Sequence, residues 1–395
     1  ANTGADTDTL PKLQALVEAL DKVAPDAATN ITVTASGGTV VANALNASNT
    51  AMDFAANITA GQASRAEFYI GNTLIGTDNA IAPTDTSVSY HVGDGTPTAA
   101  ELQAAIAAGG VVSVKLYDAA GNSISANGPT LVRDLTPPAD PASAPASYKD
   151  NAGNITNNAS TTATTDDTTP GIFVGAGLTD TPSLYVDSVK VAATYDSANG
   201  WLTPTVALSS TSHTFAYSLT DAAGNESGTS PTRTIVVDTN PPTAPSAAPA
   251  SYNDNQGTIT NTASTAATTD DTTPGIFVGA GLADTPSLYV NGAKVAATYD
   301  SANGWLTPTT ALTPSASPYT VSYTLTDAAG NESGQSPTRS ITIDTTPPAD
   351  PTSAPASYND NAGTSTNTAS TAATTDDATP GIFVGAGLAD TPSLY

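Results

Sequence analysis

Residues 269–282 read TDDTTPGIFVGAGL, and the same letters stand at residues 165–178. Three further blocks follow in the same order in both places: DTPSLYV at 180–186 and 284–290, KVAATYDSANGWLTPT at 190–205 and 294–309, and LTDAAGNESG at 219–228 and 325–334. Self-similarity at a fixed spacing is the signature of one folding unit used repeatedly. The sequence therefore predicts a tandem array of one domain type.

An Asp-x-x-Pro-Pro motif marks the borders of the repeats. It occurs at Asp134 (DLTPP), Asp238 (DTNPP) and Asp344 (DTTPP), so successive copies lie 104 and then 106 residues apart. We assign 134–238 and 239–344 to complete repeats and 345–395 to an incomplete repeat, which a neighbouring chain could complete. Residues 27–133 form a diverged first domain, because DAAGN recurs at 118–122.

Short antiparallel strands are predicted within each repeat. In repeat 239–344 the candidates, lettered A to G, are 248–252, 275–279, 287–290, 293–299, 305–309, 319–326 and 338–343. Asn291-Gly292 is typical of a two-residue hairpin turn. Strand F alternates large apolar residues with Ser and Thr, which predicts one buried and one exposed face. Seven such strands in about 100 residues indicate an immunoglobulin-like sandwich, with Trp201 and Trp305 in the cores.

The N-terminal segment, residues 1–26, differs in kind. Apolar residues recur there at helical spacing, namely Leu10, Leu13, Leu16, Val17, Leu20 and Val23. Pro25 ends the run, so the pattern predicts one amphipathic helix. The helix is expected to cover the open end of the first sandwich or to dock a partner. The predicted fold class is therefore all-β, with tandem immunoglobulin-like β-sandwich repeats in an elongated array and one short N-terminal helix.

Composition excludes several classes of function. Acidic residues outnumber basic ones by 36 to 10 and give a net charge of −26, which disfavours nucleic acid and anionic membranes as partners. The absence of cysteine excludes disulfides and thiolate zinc sites. No apolar run is long enough to span a membrane. Only two histidines are present, and His213 aligns with Pro318 of the next repeat, so no Ser-His-Asp arrangement recurs and we expect no enzyme.

Carboxylates are predicted to converge at the N-terminal end of each sandwich. Since antiparallel strands alternate in direction, the B–C, D–E and F–G loops share the end that receives the incoming linker. A cation would neutralise the mutual repulsion of acids gathered there, and Ca²⁺ prefers such oxygen ligands. The alternative is that these side chains only cap turns. The candidate calcium ligands are Asp134, Asp180, Asp196, Asp221, Asn225 and Glu226, their equivalents Asp238, Asp284, Asp300, Asp327, Asn331 and Glu332, and Asp344.

A second acidic group lies in the A–B connection, at the opposite end of the sandwich. Its candidate ligands are Asp150, Asp166 and Asp167, which recur as Asp254, Asp270 and Asp271. This group could join the same interdomain site from the other side or bind separate ions.

The combination of TDD-x-TP, an NG turn, GW, DAAGNES and a closing VDTxPP resembles the bacterial Ig-like repeats of giant biofilm-associated and RTX-type adhesins. The resemblance covers residues 134–395 well and 27–133 loosely. It implies an extracellular stalk on the bacterial cell surface, in which calcium between domains stiffens the array and neighbouring repeats are the main partners. The chain holds no glycine-rich RTX nonapeptides.

Two other functions stay open at this point. A self-assembling surface-layer or filament subunit would use the same sandwiches for contacts between chains, and would polymerise where a stalk stays monomeric. A carbohydrate-binding module would need exposed aromatic platforms, whereas most Tyr and both Trp fall in predicted strands.

Overall fold

A computed structural model describes residues 11–13, 15, 21–93, 107, 110–257, 260–364 and 366–395. The chain divides into two compact units, Ala1–Pro242 with Thr326–Glu332 and Thr243–Leu325 with Ser333–Tyr395. The loop 326–332 thus belongs to the first unit.

Only part of the predicted N-terminal helix can be compared with the structure. Residues 11–13 and 15 are helical, and residues 10, 14 and 16–20 of the predicted run lie outside the described residues. Residues 21–23 are not helical, so the predicted extension of the helix to Val23 is wrong. Leu13 and Val23 from the predicted apolar stripe are exposed. No helix among the described residues has the length and apolarity needed to cross a membrane.

The first domain is a sandwich of a three-stranded and a five-stranded sheet. Its strands are β1 (Thr29–Ser36), β2 (Ala44–Leu45), β3 (Ala51–Asn57), β4 (Arg65–Ile70), β5 (Thr73–Asp78), β6 (Ser87–Val92), β7 (Gly110–Tyr117) and β8 (Ser123–Arg133). The sheet orders are β1-β3-β6 and β2-β8-β7-β4-β5. Phe54, Phe68, Ile70 and Leu116 are fully buried between the sheets.

The second domain pairs two five-stranded sheets. Its strands are β9 (Tyr148–Asp150), β10 (Asn157–Ser160), β11 (Thr164–Thr165), β12 (Gly171–Phe173), β13 (Thr181–Val186), β14 (Val189–Val191), β15 (Ala193–Asp196), β16 (Trp201–Pro204), β17 (Ser212–Thr220) and β18 (Arg233–Val237). They are ordered β10-β9-β12-β16-β15 and β11-β18-β17-β13-β14. Tyr148, Ile172, Leu184 and Phe215 fill the core, and the Tyr148 hydroxyl donates to Thr164 O at 2.9 Å.

The third domain repeats this arrangement. Its strands are β19 (Tyr252–Asp254), β20 (Asn261–Ser264), β21 (Thr268–Thr269), β22 (Gly275–Phe277), β23 (Thr285–Val290), β24 (Ala293–Val295), β25 (Ala297–Asp300), β26 (Trp305–Pro308), β27 (Tyr319–Thr326) and β28 (Arg339–Ile343). Its sheets are β20-β19-β22-β26-β25 and β21-β28-β27-β23-β24. A last sheet, β30-β29-β31, is built from β29 (Tyr358–Asp360), β30 (Asn367–Ser370) and β31 (Gly381–Ile382).

This strand order confirms the predicted all-β, immunoglobulin-like class. In predicted letters, one sheet holds A, B, E and D, and the other holds G, F and C. The observed strand A, Tyr252–Asp254, shares only Tyr252 with the predicted range 248–252. A short strand also joins the edge of the second sheet by pairing in parallel with the last strand, as β11 does with β18. The same parallel pairing occurs for β2 with β8 and for β21 with β28.

Predicted strand D, 293–299, is wrong as a single strand. Its first half, β24, pairs with β23, whereas its second half, β25, pairs with β26 in the other sheet. The chain changes sheets at Ala296, whose carbonyl accepts the N–H of Thr309 at 3.0 Å. The local residue pattern stays strand-like throughout, so only the choice of partner reveals the crossing.

The predicted faces of strand F are also partly wrong. Val321 is buried as expected, but Ser322 and Thr324 on the opposite face are 2% exposed each. The F–G connection folds back over that face, where Ser322 Oγ donates to Gln335 Oε1 at 3.0 Å and Tyr323 N donates to Ser336 Oγ at 3.2 Å. The Ser322 hydroxyl can be buried because Gln335 satisfies it.

The two tryptophans lie outside the cores, contrary to the prediction. Trp201 and Trp305 are half-buried and pack edge-to-face on Phe173 and Phe277, with ring centroids 5.2 Å apart in both domains. They are therefore natural local fluorescence reporters of their own domains.

The hairpin turn between β23 and β24 is confirmed. Asn291 and Gly292 have φ of 51° and 78°, and the equivalent Asp187 and Ser188 in the second domain have 52° and 66°. Both central residues thus take the left-handed conformation that a type I′ turn requires.

His213 is anchored by this turn in the second domain. Its Nδ1 lies 2.7 Å from Asp187 Oδ2, and its Nε2 lies 3.0 Å from Ser209 O. The register places His213 opposite Ile235 and Tyr319 opposite Ile341. His213 is thus equivalent to Tyr319, and its predicted alignment with Pro318 is wrong by one residue.

The ion pair of His213 and Asp187 should make the second domain lose stability above neutral pH. Burial works to lower the pKa of His213, but its hydrogen bonds to Asp187 and to the Ser209 carbonyl outweigh burial and raise the pKa above 6.5. The backbone N–H of Thr214 and the His213 side chain lower the pKa of Asp187 below 3.8. The histidine contribution is complete below pH 6.5 and lost as pH rises through the raised pKa, and the aspartate contribution is lost in acid.

We expect a loss of about 1 kcal/mol between pH 6 and pH 9, since Asp187 is half exposed and solvent screens the pair. Urea unfolding followed by Trp201 fluorescence in a Trp305→Phe chain would measure it. The matched control, His213→Tyr with Asp187→Asn, copies the third domain and should remove the pH dependence. An equal dependence in the control would contradict the assignment.

Candidate interdomain contacts and metal-binding residues

The strand register brings the predicted loops to one end of each sandwich. In the second domain, Thr181 at the start of β13 pairs with Thr220 at the end of β17. In the other sheet, Trp201 at the start of β16 pairs with Phe173 at the end of β12 and with Asp196 at the end of β15. The B–C, D–E and F–G loops therefore share one end, as the alternation of strand direction predicts.

The F–G loop is organised by its own aspartate. Asp221 Oδ1 accepts the N–H groups of Ala223 and Asn225 at 2.9 Å each, and Oδ2 accepts Asn225 Nδ2 at 2.9 Å. Burial works to raise the pKa of Asp221, but these donors together outweigh burial and hold the pKa below its usual range. Asp327 Oδ1 binds the N–H groups of Ala329, Gly330 and Asn331 in the same way. The loop is thus a self-contained polar turn.

The D–E turns have the same local character. Asp196 Oδ2 accepts Asn199 Nδ2, and Asp300 Oδ2 accepts Asn303 Nδ2, both at 2.8 Å. The Asn199 side chain is the main cause of the lowered pKa of Asp196. Asp180 and Asp284 of the B–C loops are half-buried.

The glutamates of the F–G loops lie beside a strand. Glu226 Oε1 accepts Lys190 Nζ at 2.8 Å and the Tyr185 hydroxyl at 3.0 Å. Burial raises the pKa of Glu226, but these donors and Ser218 outweigh burial and lower it. The backbone of Glu226 forms an isolated bridge with Thr220, and Glu332 forms the same bridge with Thr326.

The linker aspartates cap the chain as it leaves a sandwich. The side chains of Asp134, Asp238 and Asp344 accept the N–H groups of Thr136, Asn240 and Thr346 at 2.9, 3.0 and 2.9 Å. Their own N–H groups donate to Leu45 O, Thr165 O and Thr269 O at 3.1, 2.8 and 2.9 Å. Residues 45 and 165 are therefore equivalent, and Asn46 corresponds to Asp166.

The loop 221–226 makes a direct contact with the first domain. Asn225 Nδ2 donates to Asp134 O, and Asn225 Oδ1 accepts the N–H of Ala47, both at 2.9 Å. Asn46 is fully buried and donates through Nδ2 to Ala223 O at 2.9 Å. All three bonds join uncharged groups. We call this set the first contact.

The loop 326–332 makes an equivalent contact with the second domain. Asn331 Nδ2 donates to Asp238 O at 2.8 Å, and the N–H of Asp166 donates to Ala329 O at 3.0 Å. A methyl group on Gly330 would lie 3.1 Å from Asp166 Oδ2, so the carboxylate lies against this loop. We call this set the second contact.

The acids of the A–B connection are the most deeply buried carboxylates among the described residues. Asp150, Asp254 and Asp360 are 4%, 7% and 8% exposed. Among the described atoms, the Oδ1 of each lacks a hydrogen-bond partner. Burial is the largest cause of the raised pKa of Asp150 and Asp254.

Two more acids adjoin Asp150. Asp167 is 3% exposed and accepts the N–H groups of Asn151 and Thr169 at 3.2 and 2.8 Å, an arrangement that Asp271 repeats with Asn255 and Thr273. Asp166 Oδ1 is buried and likewise lacks a partner among the described atoms. Burial and the charges of Asp167 and Asp327 raise the pKa of Asp166. Asp270 lies against Gly257 as Asp166 lies against Gly153.

Within the described ranges, no three His, Cys, Asp or Glu side chains form a group that could hold a metal ion by themselves. The calcium ligands named from the sequence therefore stay predictions. In the structure, the carboxylates of Asp221, Asp196 and their equivalents accept hydrogen bonds from N–H groups of their own turns. Asp150 and Asp166 each have one carboxylate oxygen without a hydrogen-bond donor among the described atoms. Sequence reasoning missed Asn46, because residues 44–49 (ALNASN) share no identical residue with 164–169 (TTDDTT).

The fold defines the class of protein as a tandem array of immunoglobulin-like β-sandwiches. No protein-family model and no curated protein sequence matches the chain. Fibronectin(III)-like modules of Clostridium thermocellum CbhA are 14% identical, with 52% of this chain and 94% of theirs covered and a TM-score of 0.29.

Two further solved structures are similar over most of the chain. A 1.5-MDa bacterial ice-binding adhesin, from a study of host cell surface retention, is 18% identical, with 82% of this chain and 98% of that chain covered and a TM-score of 0.27. Extracellular domains 3–5 of Drosophila OTK are 12% identical, with 82% and 100% covered and a TM-score of 0.19. All three structural similarities are weak by TM-score, and the assignment of the fold class rests on the strand order.

Proposed function

We propose that the chain is the calcium-stiffened extender, or stalk, of a large bacterial cell-surface adhesin that acts in surface attachment and biofilm formation. The observation that supports this is the recurrence of one contact. Asn225 and Asn331 occupy the same position in successive F–G loops, and each donates its amide to the carbonyl of the linker aspartate before its own domain. A contact rebuilt in each repeat suits a protein whose task is to supply length.

The calcium component of this proposal rests on the buried acids of the A–B connection. Asp150 and Asp166 carry buried oxygens without hydrogen-bond partners among the described residues, and an unpaired buried carboxylate is costly. Ca²⁺ accepts carboxylate, amide and carbonyl oxygens together with water, so two or three acids per ion suffice. The acids that would hold the ion are Asp150 and Asp166, and their equivalents Asp254 and Asp270, with carbonyl or amide oxygens and water as the remaining ligands.

Calcium should raise the melting temperature of the full chain and narrow its distribution of interdomain angles. For an affinity of about 10⁻⁴–10⁻³ M, saturation at about 100 times Kd stabilises each site by about 2.7 kcal/mol. Calorimetry and small-angle scattering, in calcium and in chelator, would measure both effects.

Magnesium is the matched ion control, because it demands octahedral geometry and gives up water reluctantly. Asp254→Asn with Asp270→Asn is the matched protein control and should remove one site. A melting point and scattering profile that ignore calcium would overturn the calcium component. Sedimentation completes the test, since calcium-driven polymerisation would indicate a surface-layer subunit instead of a stalk.

A further inference from the structure

The first and second contacts use the same loop but meet different chemistry on the other side. In the first contact, residues 37–49 contain no charged side chain. Asn46 Nδ2 donates to Thr39 O at 2.7 Å as well as to Ala223 O, and Asn46 Oδ1 accepts the N–H of Ser48 at 2.9 Å. Asn49 Nδ2 adds a bond to Gly37 O at 2.8 Å. Each of these polar groups is thus satisfied by a direct bond.

In the second contact, the position of Asn46 is taken by Asp166. A carboxylate has no N–H to offer, so Ala329 O is bound by the backbone N–H of Asp166 instead of by a side chain. The Asp166 carboxylate lies between Gly153 and Gly330, where methyl groups would come within 1.6 and 3.1 Å of Oδ2. Its Oδ1 is buried without a partner among the described atoms, and the Oδ1 of Asp150, which lies close enough to interact with the charge of Asp166, is in the same state.

We infer that the first contact is held by amides and needs no cation, whereas the second contact forms fully only when a cation binds the carboxylates of Asp150 and Asp166. This inference rests on the proposed function, because it assumes that these acids bind the ion. It goes further by assigning cation sensitivity to one contact and denying it to the other. The two contacts differ because the carboxylate of Asp166 replaces the side-chain amide of Asn46.

Hydrogen exchange of the full chain, read peptide by peptide, tests the inference. At about ten times the calcium Kd, exchange in residues 326–332 and at the N–H of Asp166 should be about tenfold slower than in chelator. Exchange in residues 221–226 and at the N–H of Ala47 should be the same in both conditions. Equal responses at the two contacts would overturn the inference.

Asp166→Asn should make the second contact resemble the first, since the new amide can donate to Ala329 O. Its exchange should then be slow both in calcium and in chelator. Asp150→Asn serves as a second variant, because it removes the partner acid without touching the loop, and it should weaken the calcium response at 326–332. Asp270→Asn, in the same motif of the next repeat, should leave that response unchanged.

The outcomes separate this inference from the proposed function. Calcium titration by calorimetry on the same samples reports whether an ion binds at all. If calcium binds and both contacts respond alike, the inference fails alone. If no calcium binds, the calcium component of the proposed function fails, and the inference fails with it. Persistent calcium sensitivity of residues 326–332 in Asp166→Asn would also refute the inference.

Discussion

Gly304→Ala should destabilise the third domain by about 2–5 kcal/mol, whereas Gly281→Ala should cost only about 1–2 kcal/mol. Both glycines have left-handed backbone, with φ of 82° and 63°. A Cβ on Gly304 would lie 2.6 Å from Gly279 C and 2.7 Å from Ala280 N, where backbone leaves no room to move. A Cβ on Gly281 meets nothing within 4 Å.

The pair of variants therefore separates the close approach of two chain segments from backbone strain alone. Urea unfolding monitored by Trp305 fluorescence in a Trp201→Phe chain would give the free energy of unfolding of the third domain, provided that the m-value is unchanged. An equal loss of stability in the two variants would show that the chain near Gly304 is not tightly packed against residues 279–280. Gly200 repeats the geometry in the second domain, with a Cβ 2.6 Å from Gly175 C.

Asp327→Ala should release the loop 326–332 without unfolding its sandwich. The side chain holds three N–H groups through Oδ1 and Asn331 Nδ2 through Oδ2, at 2.9–3.0 Å. Losing such a cap leaves its donors unsatisfied and should lower the local free energy of opening by about 2–4 kcal/mol. The bonds of Asn331 to Asp238 O and of Ala329 O to Asp166 N depend on this loop shape and should be lost with it.

Local hydrogen exchange in 326–332 measures this opening, and global unfolding by Trp305 fluorescence measures the sandwich. Asp300→Ala is the matched control, because its side chain caps an exposed turn that bonds the B–C loop of its own sandwich, where Ser301 O accepts the N–H of Gly281 at 2.8 Å, and no described hydrogen bond joins this turn to the loop 326–332. It should cost about 1 kcal/mol and leave exchange in 326–332 unchanged. If the Asp327 variant unfolds globally at the same denaturant concentration as the parent, the effect is local. If its global stability falls together with the protection of residues 326–332, the prediction is contradicted.

Local sequence patterns predicted the features that depend on neighbouring residues. Asn291-Gly292 fixed its turn because both residues tolerate positive φ. The antiparallel order followed from strand lengths and turns, and the shared end of the F–G and B–C loops followed from alternating direction. These inferences need no knowledge of which strand pairs with which.

Features that depend on distant partners escaped prediction. The change of sheet at Ala296 depends on which strand pairs with each half of the segment, and the burial of Ser322 depends on the F–G connection that covers it. The local sequence would read the same if these distant partners were different. The role of Asn225 was predicted only as an oxygen donor to an ion. In the structure its amide serves both Asp134 O and Asp221 Oδ2, because a planar group with donors on one side and an acceptor on the other can bridge three segments.

The asparagine bonds to Asp134 O and Asp238 O have a consequence for how such a chain can vary. The acceptor in each case is a main-chain carbonyl, which every residue type presents in the same way. This one bond therefore recognises the path of the preceding linker's backbone, and substitutions of the linker side chain leave the bond intact. Copies that diverge in sequence can still follow one another, so the number of units can grow or shrink by recombination without a matching change at each new border.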